Sequence, residues 1–262
     1  MPELACTPTE MMTIEAARRL RGSMVCFVGI GLPSAAANLA RALHAPDLVL
    51  IYEAGAIGSK PDVLPLSIGD GELAETADTV VSVPEIFRYW LQGGRVDVGF
   101  LGAAQIDRLG RINTTVIGDY RNPAVRLPGA GGAPEIATSA KEVLIVMKQS
   151  KRNFVEKLDF VTSSGFVDRP ASHPCARGRG RTTVITDLGV MTSDPSTHEL
   201  TLSAVHPSIT AERAIAETGW KLSVAADLGS TASPSEHELA TLRDLFARTA
   251  RAHGSTITAP SE

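Results

Sequence analysis

Apolar and polar positions along the chain follow two periods, one helical and one extended. Over residues 9–21, Met12, Ala16, Ala17 and Leu20 recur at helical spacing, and Gly22 follows as a stop. Residues 24–28 are a short apolar run with β-branched members, which predicts a buried strand. Gly29-Ile30-Gly31-Leu32-Pro33 then turns the chain, and the Ala-rich stretch 34–43 predicts a helix with Pro33 near its start, where proline is tolerated. Residues 48–52 predict a second buried strand, ending at Glu53. A strand–helix–strand unit of this kind implies a parallel pair with a right-handed crossover.

The alternation continues. Strands are predicted at 79–83, 96–101, 142–147, 182–186 and 200–204, the last two separated by a turn at Asp194-Pro195. A helix is predicted at 84–92, closed by Gly93-Gly94, and another at 234–251, where Ser235 and Glu238 form a capping pair. Residues 111–117 read as a strand in a loop-rich region, and 159–162 as a weaker one. This order predicts an α/β fold, an open, mostly parallel sheet with helices on both faces, in one domain over residues 1–262. Residues 168–181 break the pattern with prolines, glycines and Arg169, Arg177, Arg179 and Arg181. They read as an exposed loop, either simply solvated or in contact with an anionic partner.

Composition narrows the function classes. The chain has 262 residues, 44% hydrophobic and 21% charged, which excludes a disordered chain or a disulfide scaffold. A net charge of -4 and 5% aromatics argue against nucleic acid as a partner. No apolar run approaches the roughly 20 residues of a membrane span, and residues 1–9 lack the pattern of a secretory signal. Cys6, Cys26 and Cys175 are odd in number and widely spaced, so no disulfide framework or zinc ribbon is readable, and a cytoplasmic protein is expected. Cys26 lies in an apolar run and reads as inert core. His44, His173, His198, His206, His237 and His253 show no metal-ligand spacing, so no metal is expected.

Two features point to chemistry. Glu53 ends an apolar strand and precedes Ala54-Gly55. In open α/β sheets ligands bind outside the carboxyl ends of strands, so Glu53 is either a reactive carboxylate or a cap or salt-bridge partner. The cluster Gly129-Ala130-Gly131-Gly132 is either a plain turn or a loop that brings backbone N–H groups to an oxyanion or phosphate. Gly29-Ile30-Gly31 precedes a helix but lacks the third glycine of a dinucleotide fingerprint, where Ser34 stands instead. There is no Gly-x-Ser-x-Gly elbow for serine hydrolysis. A carboxylate nucleophile with a glycine loop suits acyl transfer through an anhydride.

Five stretches together resemble the class I CoA-transferases: Val28-Gly29-Ile30-Gly31-Leu32-Pro33, Tyr52-Glu53-Ala54-Gly55, Gly102-Ala103-Ala104-Gln105-Ile106-Asp107, Ile117-Gly118-Asp119-Tyr120 and Gly129-Ala130-Gly131-Gly132-Ala133. The resemblance spans roughly residues 10 to 250. It implies that Glu53 is the catalytic glutamate, here in a Glu-Ala-Gly motif, and that Gly129, Ala130, Gly131 and Gly132 form the oxyanion or CoA-binding loop. It further implies substrate or CoA contacts at Gly29, Gly31 and Gln105, with a CoA thioester as substrate and no cofactor or metal. Family members of this type pair A and B subunits. This chain resembles a B half, which implies a partner of the A kind in an A2B2 hetero-oligomer and a site shared with it. Residues 64–79 and 86–94 are similar to the branch acting on 3-oxoadipate, which implies transfer from succinyl-CoA to that dicarboxylic acid. Transfer to glutaconate or another dicarboxylate, or a hydrolase or decarboxylase on the same fold, is the alternative. Residues 169–177 depart from the family's turn in this region.

Overall fold

Thr7 and Glu10 start the first helix by bonding each other's backbone. The Glu10 amide donates to the Thr7 hydroxyl at 3.2 Å and the Thr7 amide to the Glu10 carboxylate at 2.8 Å. Helix α1 (Pro8–Arg18) follows, with proline in its first turn. The computed structural model describes residues 5–165 and 181–254. The structure divides into two compact units. One comprises the chain up to Arg88 with the stretch from Ser233; the other is Tyr89–Ala232.

In the first unit, β1 (Val25–Phe27) leads through Gly31 into α2 (Leu32–Leu43), and β2 (Val49–Ile51) returns parallel to β1 with Cys26 opposite Leu50. The expected strand–helix–strand unit is therefore present. Cys26, Phe27, Leu50 and Ile51 are buried, as is the Ala35–Ala37 face of α2. A short strand that the pattern does not foresee, β3 (Ala56–Ile57), extends the sheet antiparallel to β2; after the short helix α3 (Gly71–Glu75), the foreseen strand β4 (Thr79–Val80) pairs antiparallel to β3. The strand expected to reach residue 83 stops at Val80, because Ser82 caps a new turn, α4 (Val83–Glu85), through Glu85. The helix expected at 84–92 continues from there as a π-helix, Ile86–Leu91.

The second unit opens with β5 (Val98–Leu101). Two hairpins follow, β6 (Gln105–Ile106) with β7 (Ile112–Asn113), and β8 (Val116–Gly118) with β9 (Pro123–Arg126). The single strand expected at 111–117 is thus divided, because Asn113 turns the chain. Its side-chain oxygen accepts the amides of Thr115 and Val116 at 2.9 and 3.2 Å. Helix α5 (Ala133–Ser139) packs on Gly99, where a side chain would run into Ile136. Next comes β10 (Glu142–Val146), parallel to β5 on one side and to β11 (Arg181–Ile185) on the other. The 159–162 stretch makes no strand; an isolated bridge joins Ile112 to Ser163 instead.

Beyond β11 come β12 (Gly189–Ser193) and β13 (Leu200–Val205), antiparallel, then α6 (Ala211–Ala216) and β14 (Ser223–Ser230), parallel to β13. Strand order in this unit is β14-β13-β12-β11-β10-β5. Of the Arg-rich stretch, Arg181 is the first residue of β11; the remainder, with His173 and Cys175, lies outside the described residues. The chain then rejoins the first unit as α7 (Glu236–His253), which packs on α1 and α2 and carries the foreseen Ser235–Glu238 cap.

Candidate active site

The parallel pairing of β1 and β2 places their carboxyl ends at one edge of the first unit. The Val28 amide donates to the Ile51 carbonyl at 2.9 Å, so the Gly29–Gly31 loop and the turn bearing Glu53 leave the sheet side by side. Gly31 caps α2 with φ +76°, a conformation that favours glycine. Residues 52–55 form a tight turn into β3, closed by the Gly55 amide on the Tyr52 carbonyl at 3.0 Å and the Tyr52 amide on the Ala56 carbonyl at 2.9 Å. Gly55 has φ +116° and lies against the Val81 carbonyl, leaving no room for a Cβ.

Tyr52 anchors this turn from below. Its side chain is fully buried, its hydroxyl lies 3.3 Å from Ser34 Oγ at the start of α2, and burial pushes its pKa up to about 12. Glu53 is the next residue and is partly exposed. Among the described residues, its carboxylate has no hydrogen-bond or ion-pair partner. The cap and salt-bridge readings of Glu53 are therefore not realised here. Beside Gly31 opens an apolar cleft of about 130 Å³ lined by Leu32, Leu64, Leu66 and Phe246.

The glycine loop belongs to the second unit. Gly129 turns the chain with φ +103° and Gly131 with φ +49°, and a Cβ at either would meet nothing within 4 Å. The Gly129 amide is spent on the Thr114 carbonyl at 2.8 Å. Among the described residues, the amides of Ala130, Gly131 and Gly132 have no partner. The loop thus has an open face and three uncommitted donors. Thr114 and Thr162, whose hydroxyl accepts the Thr114 amide at 2.9 Å, brace it from behind. The sequence pattern singles out neither, although the run Asn113-Thr114-Thr115 is a local signal of side chains that bond backbone.

Gln105 sits differently from the expectation. It is buried, with its carbonyl accepting from Asn113 at 2.8 Å and its amide donating to Asp159 at 3.0 Å. Asp159 also receives the Gly118 amide at 3.0 Å. Both ends of the Gln105 side chain thus make bonds that hold the two hairpins, and the residue is buried. Gly29, Gly31 and Glu53 lie beyond the carboxyl ends of the paired strands β1 and β2; Gln105 and the 129–132 loop fall in the other unit. Among the described residues, no group of three or more His, Cys, Asp or Glu is arranged to hold a metal ion.

The chain is similar in sequence and fold to known proteins. The coenzyme A transferase family pattern matches residues 9–217. The chain is 61% identical to the B subunit of 3-oxoadipate CoA-transferase from Pseudomonas knackmussii, over 95% of this chain and 97% of that one. It is 35% identical to the B subunit of glutaconate CoA-transferase from Acidaminococcus fermentans, over 83% and 84% of the two chains. The crystal structure of the glutaconate coenzyme A-transferase from that organism superposes with a TM-score of 0.83 and 30% identity, covering 92% of this chain and 95% of the other. The fold is accordingly the open, mostly parallel α/β sheet with helices. With a pattern spanning most of its length and relatives matched almost end to end, the chain belongs to the coenzyme A transferase family.

Proposed function

We propose that this chain is the glutamate-bearing half of a two-subunit enzyme that moves CoA from succinyl-CoA to 3-oxoadipate. The observation that carries the reading is Glu53, a partly exposed carboxylate at a strand end with no partner among the described residues. The 61% likeness to the B subunit of a 3-oxoadipate CoA-transferase supports the choice of acceptor. The names of the relatives support a partner of the A kind, and we place the pair in an A2B2 assembly acting in the cytoplasm.

A Glu53 oxygen bonds to the thioester carbonyl carbon, the C–S bond breaks, and the CoA thiolate leaves a mixed anhydride of Glu53 and succinate. The thiolate then attacks the Glu53 carbonyl of the anhydride. Succinate departs with the bridging oxygen, and a glutamyl-CoA thioester remains. The acceptor carboxylate repeats these steps in reverse order, which returns Glu53 as a carboxylate and CoA as the acceptor's thioester. No net proton, metal or redox group enters the scheme. Each tetrahedral intermediate carries an oxyanion, and the uncommitted amides of Ala130, Gly131 and Gly132 are the donors we assign to it. Gly29 and Gly31 are assigned to the CoA side of the site, where absent side chains let backbone approach the substrate. Exclusion of water preserves the thioester energy.

The test is to trap the intermediate in the chain combined with its partner. Succinyl-CoA without acceptor should leave CoA on Glu53; hydroxylamine should convert it to a hydroxamate and borohydride to an alcohol. Mass spectrometry should place either change on the peptide containing Glu53. A complex that turns over rapidly with no adduct at Glu53 overturns the mechanism.

A further inference from the structure

The glycine loop is held at its first residue by one side chain, Thr114, which makes a reciprocal pair with Gly129. The Gly129 amide donates to the Thr114 carbonyl at 2.8 Å, and the Thr114 hydroxyl donates to the Gly129 carbonyl at 2.7 Å. Thr114 is itself held by Thr162, whose hydroxyl accepts the Thr114 amide at 2.9 Å and lies 2.7 Å from the Thr115 hydroxyl. The Gly129 carbonyl and the Ala130 N–H belong to one planar trans peptide, so they point in opposite directions and turn together. Pinning the carbonyl against Thr114 therefore aims the Ala130 N–H at the opposite side, where Ala130 is exposed and its amide is uncommitted.

The next peptide is set differently. The Ala130 carbonyl accepts the Ala133 amide at 3.0 Å, a bond within the backbone that needs no side chain. The Gly132 carbonyl accepts the Glu135 and Ile136 amides at 3.1 and 3.0 Å, but it shares a peptide with the Ala133 N–H and directs none of the three free donors. Of the peptide planes that direct the loop's free donors, the one before Ala130 is thus set by a hydroxyl. Glycine lets that plane rotate at little cost, so without the hydroxyl the donor loses its aim while the chain path survives.

We infer that Thr114 is a positioning residue for acyl transfer, acting through the Gly129–Ala130 peptide to direct the Ala130 N–H at the developing oxyanion. The inference rests on the CoA-transferase reading of the loop.

The experiment compares Thr114→Val, Thr114→Ser and wild type, each assembled with the partner chain. Thr114→Val keeps the shape and removes the hydroxyl. It should lower kcat by about 10-fold to 100-fold, since a misdirected donor is lost only when charge develops. KM for both substrates should stay within about 3-fold. Thr114→Ser should restore kcat to within about 3-fold of wild type, because the hydroxyl returns. Thr114→Ala carries the same comparison if the valine variant does not fold. A hydroxyl-free variant with wild-type kcat, or a loss that serine does not repair, overturns the inference. If wild type forms the Glu53 adduct while Thr114→Val keeps full kcat, only the inference fails. If wild type forms no adduct, the reading beneath it fails as well.

Discussion

Glu53 has no hydrogen-bond or ion-pair partner among the described residues, whereas several other carboxylates of its unit do. Glu10 binds Arg243, Glu15 binds Arg19, Asp78 binds Lys60, and Asp70 and Glu85 cap helices. Replacing Glu53 should therefore cost activity and leave stability alone. Glu53→Gln should cut transfer by a factor of roughly 10⁴ or more, because the covalent nucleophile we propose it to be has no substitute. Its melting temperature should match that of wild type, and near-normal turnover would defeat the assignment. Gly55, two residues on, should behave in the opposite way. Gly55→Ala adds a Cβ at φ +116° against the Val81 carbonyl, so it should cost about 2 kcal/mol or more of stability. An unchanged urea midpoint would show that the turn has another way to relax. At Gly131, with φ +49° and open space around it, valine is strained without a clash. Gly131→Val should depress turnover per folded molecule more than it lowers the melting temperature.

At the scale of elements, α1 and α7 are joined by two charged clasps. Arg18 binds Glu238 through two bonds of 2.7 and 2.8 Å, and Arg243 binds Glu10 through bonds of 2.6 and 3.1 Å. Burial alone would raise the Glu238 pKa, but Arg18 and the Ser235 cap outweigh it and bring it down to about 2. At Glu10 burial is likewise outweighed, by Arg243 and Thr7, and the carboxyl is lowered. A carboxylate with a depressed folded-state pKa stabilises above its unfolded value, near 4.5, and loses that contribution as pH falls towards about 2. Glu238→Gln should thus lower stability at pH 7 by on the order of 1 kcal/mol, with the difference shrinking between pH 4.5 and 2. Thermal melts of both proteins across that range test it; a constant difference would assign the effect to packing. The cap half of this clasp is legible in sequence, because Ser235 and Glu238 are three residues apart. The Arg18 half is not, because it joins residues separated by 220 positions.

For the whole molecule, the expected behaviour is dependence on a partner. Purified alone, the chain should show no CoA transfer, and addition of its partner should restore it in proportion to complex formed. Full activity of the isolated chain would refute the two-subunit reading. Among the described residues, no helix is long and apolar enough to cross a membrane. The likeness to relatives runs almost end to end, so the structural frame of this behaviour is that of the family.

What the chain's order alone determined is what depends on neighbours. Apolar runs set β1, β2, β5 and β10, helical spacing set α1, α2 and α7, and the strand end at Glu53 followed from where the apolar run stops. These are signals of period and capping, complete within a dozen residues. Tertiary structure decided what depends on contacts between distant segments. The short strand β3 forms because the turn at Gly55 returns the chain to the edge left by β2, not because its residues insist on it. The stretch 111–117 became two strands because Asn113 spends its side chain on the backbone, a choice settled by Gln105 and Asp159 around it. Gln105 itself, placed in a motif, is committed on both sides, and Thr114 gained its position behind Gly129 only when residues fifteen apart were folded together. The residue types are written locally; which of their polar atoms remain free is decided by the packing, since a buried group must find its partner wherever the fold supplies one.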